Sequence, residues 1–150
     1  MGVFEFERRK LLIDRYIELP NPTVVDVGGG TGKYSEWLAR KGHMVCLVEP
    51  VLKHMVIAQS RANKLRNKFS VNLGEVRRLD LPNNFADVII LHGPLYHLQK
   101  REDRNAAIVE AKRVLKKDGV IFGFAINYSA TTLAGLLNGL IHKPTFFCYV

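Results

Sequence analysis

The nine residues Val24 to Gly32, V-V-D-V-G-G-G-T-G, constrain the fold more than any other stretch of the chain. An apolar run of strand length meets a glycine turn, and a helix-like segment follows at once. Glycines 28, 30 and 32 let the backbone adopt positive φ and pass close to a ligand where a side chain would clash. A helix starting near Thr31 would aim its free N–H groups and the positive end of its dipole into the same space. An acid, Glu49, closes the next apolar run. Strand, glycine turn, helix and strand-end acid together predict a nucleoside-cofactor site.

Spacing narrows the cofactor. The dinucleotide fingerprint G-x-G-x-x-G, counted from Gly28, needs glycine at position 33, where this chain has Lys33. A P-loop ending in Gly32-Lys33 needs glycine at 27 and Ser or Thr at 34, and the chain has Val27 and Tyr34. A nicotinamide-dependent oxidoreductase and a phosphate cradle are both disfavoured. What remains is G-x-G-x-G with Asp26 two residues before the first glycine and Glu49 beyond it.

That pattern resembles the class I S-adenosylmethionine-dependent methyltransferases, whose ligand has a ribose diol and a methionine tail but no phosphate. The resemblance continues downstream. Gly74-Glu75-Val76-Arg77 is similar to the family's segment beside the adenine, and Ala86 to Leu98, A-D-V-I-I-L-H-G-P-L-Y-H-L, to its fourth strand and the loop that follows. Arg113 to Ile121, R-V-L-K-K-D-G-V-I, resembles the next helix, turn and fifth strand. G-P-L-Y-H-L is the sharpest match and points to a bacterial-type branch. Four segments in the right order carry the resemblance over roughly residues 23 to 126.

Strand and helix patterns alternate, which argues for an α/β domain with a parallel sheet covered on both faces. Strands are expected at 23–27, 44–48, 70–73, 86–91 and 119–126, and helices at 5–18, 31–41, 51–66, 100–116 and 129–141. With right-handed crossovers, the resemblance implies a doubly wound, Rossmann-like, mainly parallel sheet of order 3-2-1-4-5. The ligand would lie outside the carboxyl ends of strands one, two and four. The family's last two strands are absent from the sequence, so residues 1–150 read as a single cofactor-binding domain that is C-terminally incomplete.

The resemblance also assigns roles. Gly28, Gly29, Gly30 and Gly32 form the cofactor turn, Asp26 supports it and reaches toward the cofactor's amino group, and Glu49, followed by Pro50, accepts the ribose hydroxyls. Hydrogen bonds to a charged group are worth roughly 1.5–3 kcal/mol each. Glu75 and the Val76 backbone would meet the adenine edge, and His92 and Gly93, at the end of the fourth strand, join the cofactor-binding residues. His97, with Tyr96 beside it, is a candidate general base for an oxygen or nitrogen nucleophile; substrate contact and plain packing stay open for it. Met44, Met55 and the aromatic residues at helical spacing are expected in the core. The chain has neither the D/N-P-P-Y loop of amino-methylating nucleic-acid enzymes nor a Pro-Cys nucleophile pair.

Composition sets the remaining bounds. Hydrophobic content of 47% with 24% charged residues is ordinary for a globular domain. Two cysteines form neither a disulfide framework nor a metal pattern, the opening residues are not a basic and apolar leader, and no apolar run approaches ~20 residues. The expectation is a soluble cytoplasmic protein without metal or membrane. Net charge of +8 comes from scattered basic residues, which favours a solvated surface and leaves RNA or another polyanion as a possible partner. The expected activity is methyl transfer from S-adenosylmethionine, leaving S-adenosylhomocysteine, to a small-molecule acceptor. The alternative is a non-catalytic cofactor-binding module or subunit, and a bare fifth-strand edge with the apolar tail would favour self-association.

Overall fold

The computed structural model describes residues 3–125, Leu133 and residues 136–138. Along the chain come helix α1 (Val3–Tyr16), β1 (Thr23–Val27), α2 (Lys33–Arg40), β2 (Met44–Glu49), α3 (Leu52–Asn63), β3 (Ser70–Leu73), β4 (Ala86–Leu91), α4 (Pro94–His97), α5 (Arg101–Val114) and β5 (Leu115–Gly123). The five strands make one sheet of order β3-β2-β1-β4-β5, and every neighbouring pair is parallel. This is the expected doubly wound order.

The period-two alternation of a strand sends its residues to opposite faces. Val24, Val45, Leu47, Val88 and Ile90 pack with Ile13 of α1, Leu38 of α2 and Ala58 of α3. Val25, Val27, Cys46, Val48, Ile89 and Leu91 pack on the other face with Ala107, Ala111 and Val114 of α5. Both faces of the central strands are therefore dry, which is why these strands read as continuous apolar runs. Parallel strands joined by crossovers leave all their carboxyl ends on one side, and the loops after β1, β2 and β4 meet there.

Two polar clasps fix the opposite parts of the sheet. Asp87 accepts the Thr23 N–H at 2.9 Å and the Lys116 ammonium at 2.9 and 3.0 Å, joining β4 to the start of β1 and to β5. Arg113 donates to the carbonyls of Leu79 and Leu81 and to Asn83, while its neighbour Glu110 accepts the Leu79 N–H at 2.7 Å. That cluster nails the connection between β3 and β4 onto α5. The Arg113 guanidinium holds the Glu110 carboxyl below the usual glutamate value, against the opposing effect of burial.

The structure departs from the sequence expectations in several places. β5 starts at Leu115 rather than 119, because the chain turns extended directly after Val114 and pairs Leu115 with Ala86. The register then slips, so that Val88 faces Val120 and the Lys116–Gly119 segment bulges between them, with Asp118 at φ 65°. Met44 is 62% exposed, since it opens the strand before the helices cover it. A single-turn helix, α4, falls inside the G-P-L-Y-H-L loop, with Pro94 in the first turn, where its missing N–H costs nothing. The expected end of β5 at 126 and most of the expected helix at 129–141 lie outside the described residues. Among the described residues, no helix is long and apolar enough to cross a membrane.

The Glu110 clasp yields a signed prediction. A carboxyl lowered in the folded state contributes stability that is present above its ordinary value of 4.5 and is lost as pH falls through the folded one. Glu110→Gln should lower unfolding free energy by about 1–3 kcal/mol at pH 7. Urea melts repeated at descending pH should show the gap between variant and wild type closing as pH falls below 4.5.

Candidate cofactor site

A cavity of about 780 Å³ opens at the carboxyl ends of the strands, with the glycine turn on one side and α4 on another. The turn residues Gly28, Gly30 and Gly32 have φ of 69°, 59° and 76°, so all three occupy the left-handed region. Gly29 is required for a different reason. A Cβ there would fall 2.4 Å from Asp26 Oδ2 and 2.5 Å from Leu47 Cδ1. At Gly30, by contrast, a Cβ would meet nothing within 4 Å, and the residue lines the cavity. The turn thus sits tight on the sheet below and presents bare backbone above.

Asp26 explains how the turn is held. Its side chain shares the sheet face of Val24, is fully buried, and needs donors to be tolerated there. Ser35 Oγ, in the first turn of α2, donates to Oδ2 at 2.7 Å, and His92 Nδ1 lies 2.9 Å from Oδ1. A carboxylate only accepts, so the imidazole donates through Nδ1 and leaves Nε2 buried without a partner. The imidazole itself is sandwiched, with the Tyr34 ring 4.0 Å away and the Phe124 ring 5.1 Å away. Burial pushes the Tyr34 phenol up to about 12, against the pull of Arg9.

Glu49 ends β2 with both oxygens engaged. The Gly30 N–H donates to Oε2 at 3.0 Å, the Val51 N–H donates to Oε1 at 3.1 Å, and His54 Nδ1 stands 3.2 Å from Oε1. The strand-end acid therefore ties the glycine turn to the start of α3. Glu75 and Val76 also border the cavity. The Glu75 carboxylate, however, turns to Arg77, accepting its backbone N–H at 3.2 Å and its Nε at 2.8 Å. On the far wall, Tyr96 and His97 lie on α4 with ring centres 4.6 Å apart.

Most residues singled out from sequence meet at this cavity: Gly28, Gly29, Gly30, Glu49, Pro50, Glu75, Val76, His92, Gly93, Tyr96 and His97 all line it. Asp26 and Gly32 do not. Asp26 lies beneath the turn, and Gly32 faces Ala58 and Phe69, whose atoms stand 3.1 and 3.2 Å from where its Cβ would be. Sequence reasoning missed Ser35 and His54. Ser35 carried a signal, since a polar residue in the first turn of a helix facing the sheet can answer a buried acid. His54, in the first turn of α3 and five residues past the strand-end acid, carried only the weak signal of a donor near a carboxylate.

Residues 25–123 match the family model for the methyltransferase domain. The chain belongs to that family. A methyltransferase of Bacillus thuringiensis, itself described as uncharacterized, is 31% identical over 98 residues, which span 65% of this chain and 44% of the relative. A crystal structure of a Pyrococcus horikoshii protein superposes with a TM-score of 0.74 at 23% identity, covering 79% of this chain and 55% of that one. A structure described as a SAM-dependent methyltransferase of Methanosarcina mazei gives 0.65 at 23% identity, over 70% of this chain and 52% of its own. The methyltransferase domain here thus spans about half the length of the proteins it matches, and the structural likenesses show its fold.

Two substitutions test the division of labour in the glycine turn. Gly29→Ala forces Asp26 or Leu47 to move and should cost about 1–3 kcal/mol of folding stability. Gly30→Ala meets no atoms and should cost only the left-handed backbone penalty of about 1–2 kcal/mol. Thermal melts should rank Gly29→Ala as the less stable, and a reversed order would contradict the packing described.

Proposed function

We propose that this domain binds S-adenosylmethionine in the cavity at the strand ends and transfers its methyl group to a small-molecule acceptor. The observation that carries the reading is the buried Glu49 carboxylate beside the bare backbone of Gly30, a pairing that suits a ribose diol lying on the turn. The remaining wall fits a nucleoside rather than a phosphate: Val27, Val51, Val76 and Leu98 provide apolar surface, and Lys33 is the one lysine or arginine among the described lining residues. S-adenosylmethionine, when bound, supplies a methyl group on a sulfonium that is already an activated leaving group.

The protein's own work is then positioning and exclusion of water. Gly28, Gly29 and Gly30 offer backbone to the ligand, Glu49 orients its ribose, Pro50 and Val51 flank it, and the Val76 N–H meets the adenine edge. Glu75 reaches the adenine only if it releases Arg77. Asp26 acts at one remove, since Ser35 and His92 occupy its carboxylate. His92 and Gly93 close the floor near the methionine tail. His97, exposed on α4 and lining the cavity, receives the acceptor's proton, with Tyr96 alongside to bind that acceptor.

Isothermal titration tests this reading. The wild-type chain should bind S-adenosylhomocysteine and not NAD. Glu49→Ala, verified as folded by circular dichroism, should bind at least tenfold more weakly, a loss of ~1.4 kcal/mol. Unchanged affinity in that variant would sink the ribose assignment.

A further inference from the structure

The occupancy of Glu49 raises a conflict that its neighbours resolve. A carboxylate offers about four lone-pair sites, and the Gly30 N–H, the Val51 N–H and His54 already fill three of them. A ribose diol brings two donors. One resident donor must therefore leave. The Gly30 amide is set by the glycine turn, and the Val51 amide by the start of α3, where the Val51 carbonyl accepts the N–H groups of His54 and Met55 at 3.0 and 3.1 Å. His54 differs from both: its side chain is 44% exposed at the cavity wall and can rotate away without disturbing the backbone.

We propose that His54 is a competing donor at the ribose subsite, holding Glu49 Oε1 until a nucleoside enters and then yielding that position to a ribose hydroxyl. The proposal rests on the nucleoside reading above and assigns His54 a positioning role rather than a chemical one. Its bond to the carboxylate requires a hydrogen on Nδ1. An incoming ribose hydroxyl exchanges that bond for its own, so the resident imidazole lowers nucleoside affinity.

Glu49 is the only acid in direct contact with the imidazole among the described residues, so removing the imidazole tests this one contact.

Isothermal titration of the full chain with S-adenosylhomocysteine tests the idea. His54→Ala, verified as folded by circular dichroism, should bind at least about twofold tighter than wild type, and His54→Gln, which keeps a donor at that place, should return toward wild-type affinity. Unchanged affinity in the folded His54→Ala variant overturns this proposal alone, as does weaker binding, which would make the imidazole a direct ligand contact. Absence of binding by the wild-type chain overturns the nucleoside reading and this proposal together.

Discussion

A buried carboxylate under a glycine turn organises this domain. Asp26 occupies a sheet position that its register partners on the flanking strands fill with Leu47 and Ile90, and an ion there is tolerable only with donors on both oxygens. Ser35 supplies one from α2 and His92 the other from the end of β4. Gly29 lies so close above that even a methyl group would collide with the carboxylate. One residue thereby fixes the height of the turn, the start of the following helix and the path of the chain leaving the neighbouring strand. The cavity is the space left when those three are set.

A second acid does complementary work on the other side. Glu49 joins the turn to α3 through two backbone amides, so the glycine backbone is held from below by Asp26 and laterally by Glu49. Neither acid is a simple surface charge, and each is satisfied within the protein. The difference lies in access. Asp26 is sealed beneath the turn, whereas Glu49 borders the cavity and has one half-exposed side-chain partner. Two carboxylates in neighbouring strands are thus divided into a sealed and a cavity-facing one by what covers them.

Much of this was legible in the sequence because it depends on local pattern. Apolar runs, turn glycines and strand-end acids are set by short-range geometry, and they placed β1, β2, β3, β4 and the crevice correctly. The bulge at the start of β5 was not legible, since Lys116 leaves helical geometry to reach Asp87, a partner 29 residues earlier. The exposure of Met44 likewise depends on which part of a strand the helices cover. The roles of His92 and His54 required knowing the neighbours. His92, one residue past β4, continues the face of Ile90, and Ile90 is paired with Asp26, so the contact follows only from strand register. His54 reaches back to Glu49 through the entry geometry of α3. Glu75 failed to declare its attachment to Arg77 for a related reason, as a side chain's partner in a loop is chosen by the bend of that loop.

The pairing of Asp26 with His92 also bears on how the chain reaches its native state. These residues are 66 apart in sequence, and between them lie three crossovers and two other strands. Closing so long a loop has an entropic cost that only the completed contact repays, which makes parallel sheets slow to assemble. A partly folded chain with β1, β2 and β3 in place but β4 undocked would have the glycine turn and Glu49, yet its Asp26 would lack one of its two donors. The cavity is therefore complete only once the sheet's central pair has closed, and the glycine motif alone does not make it.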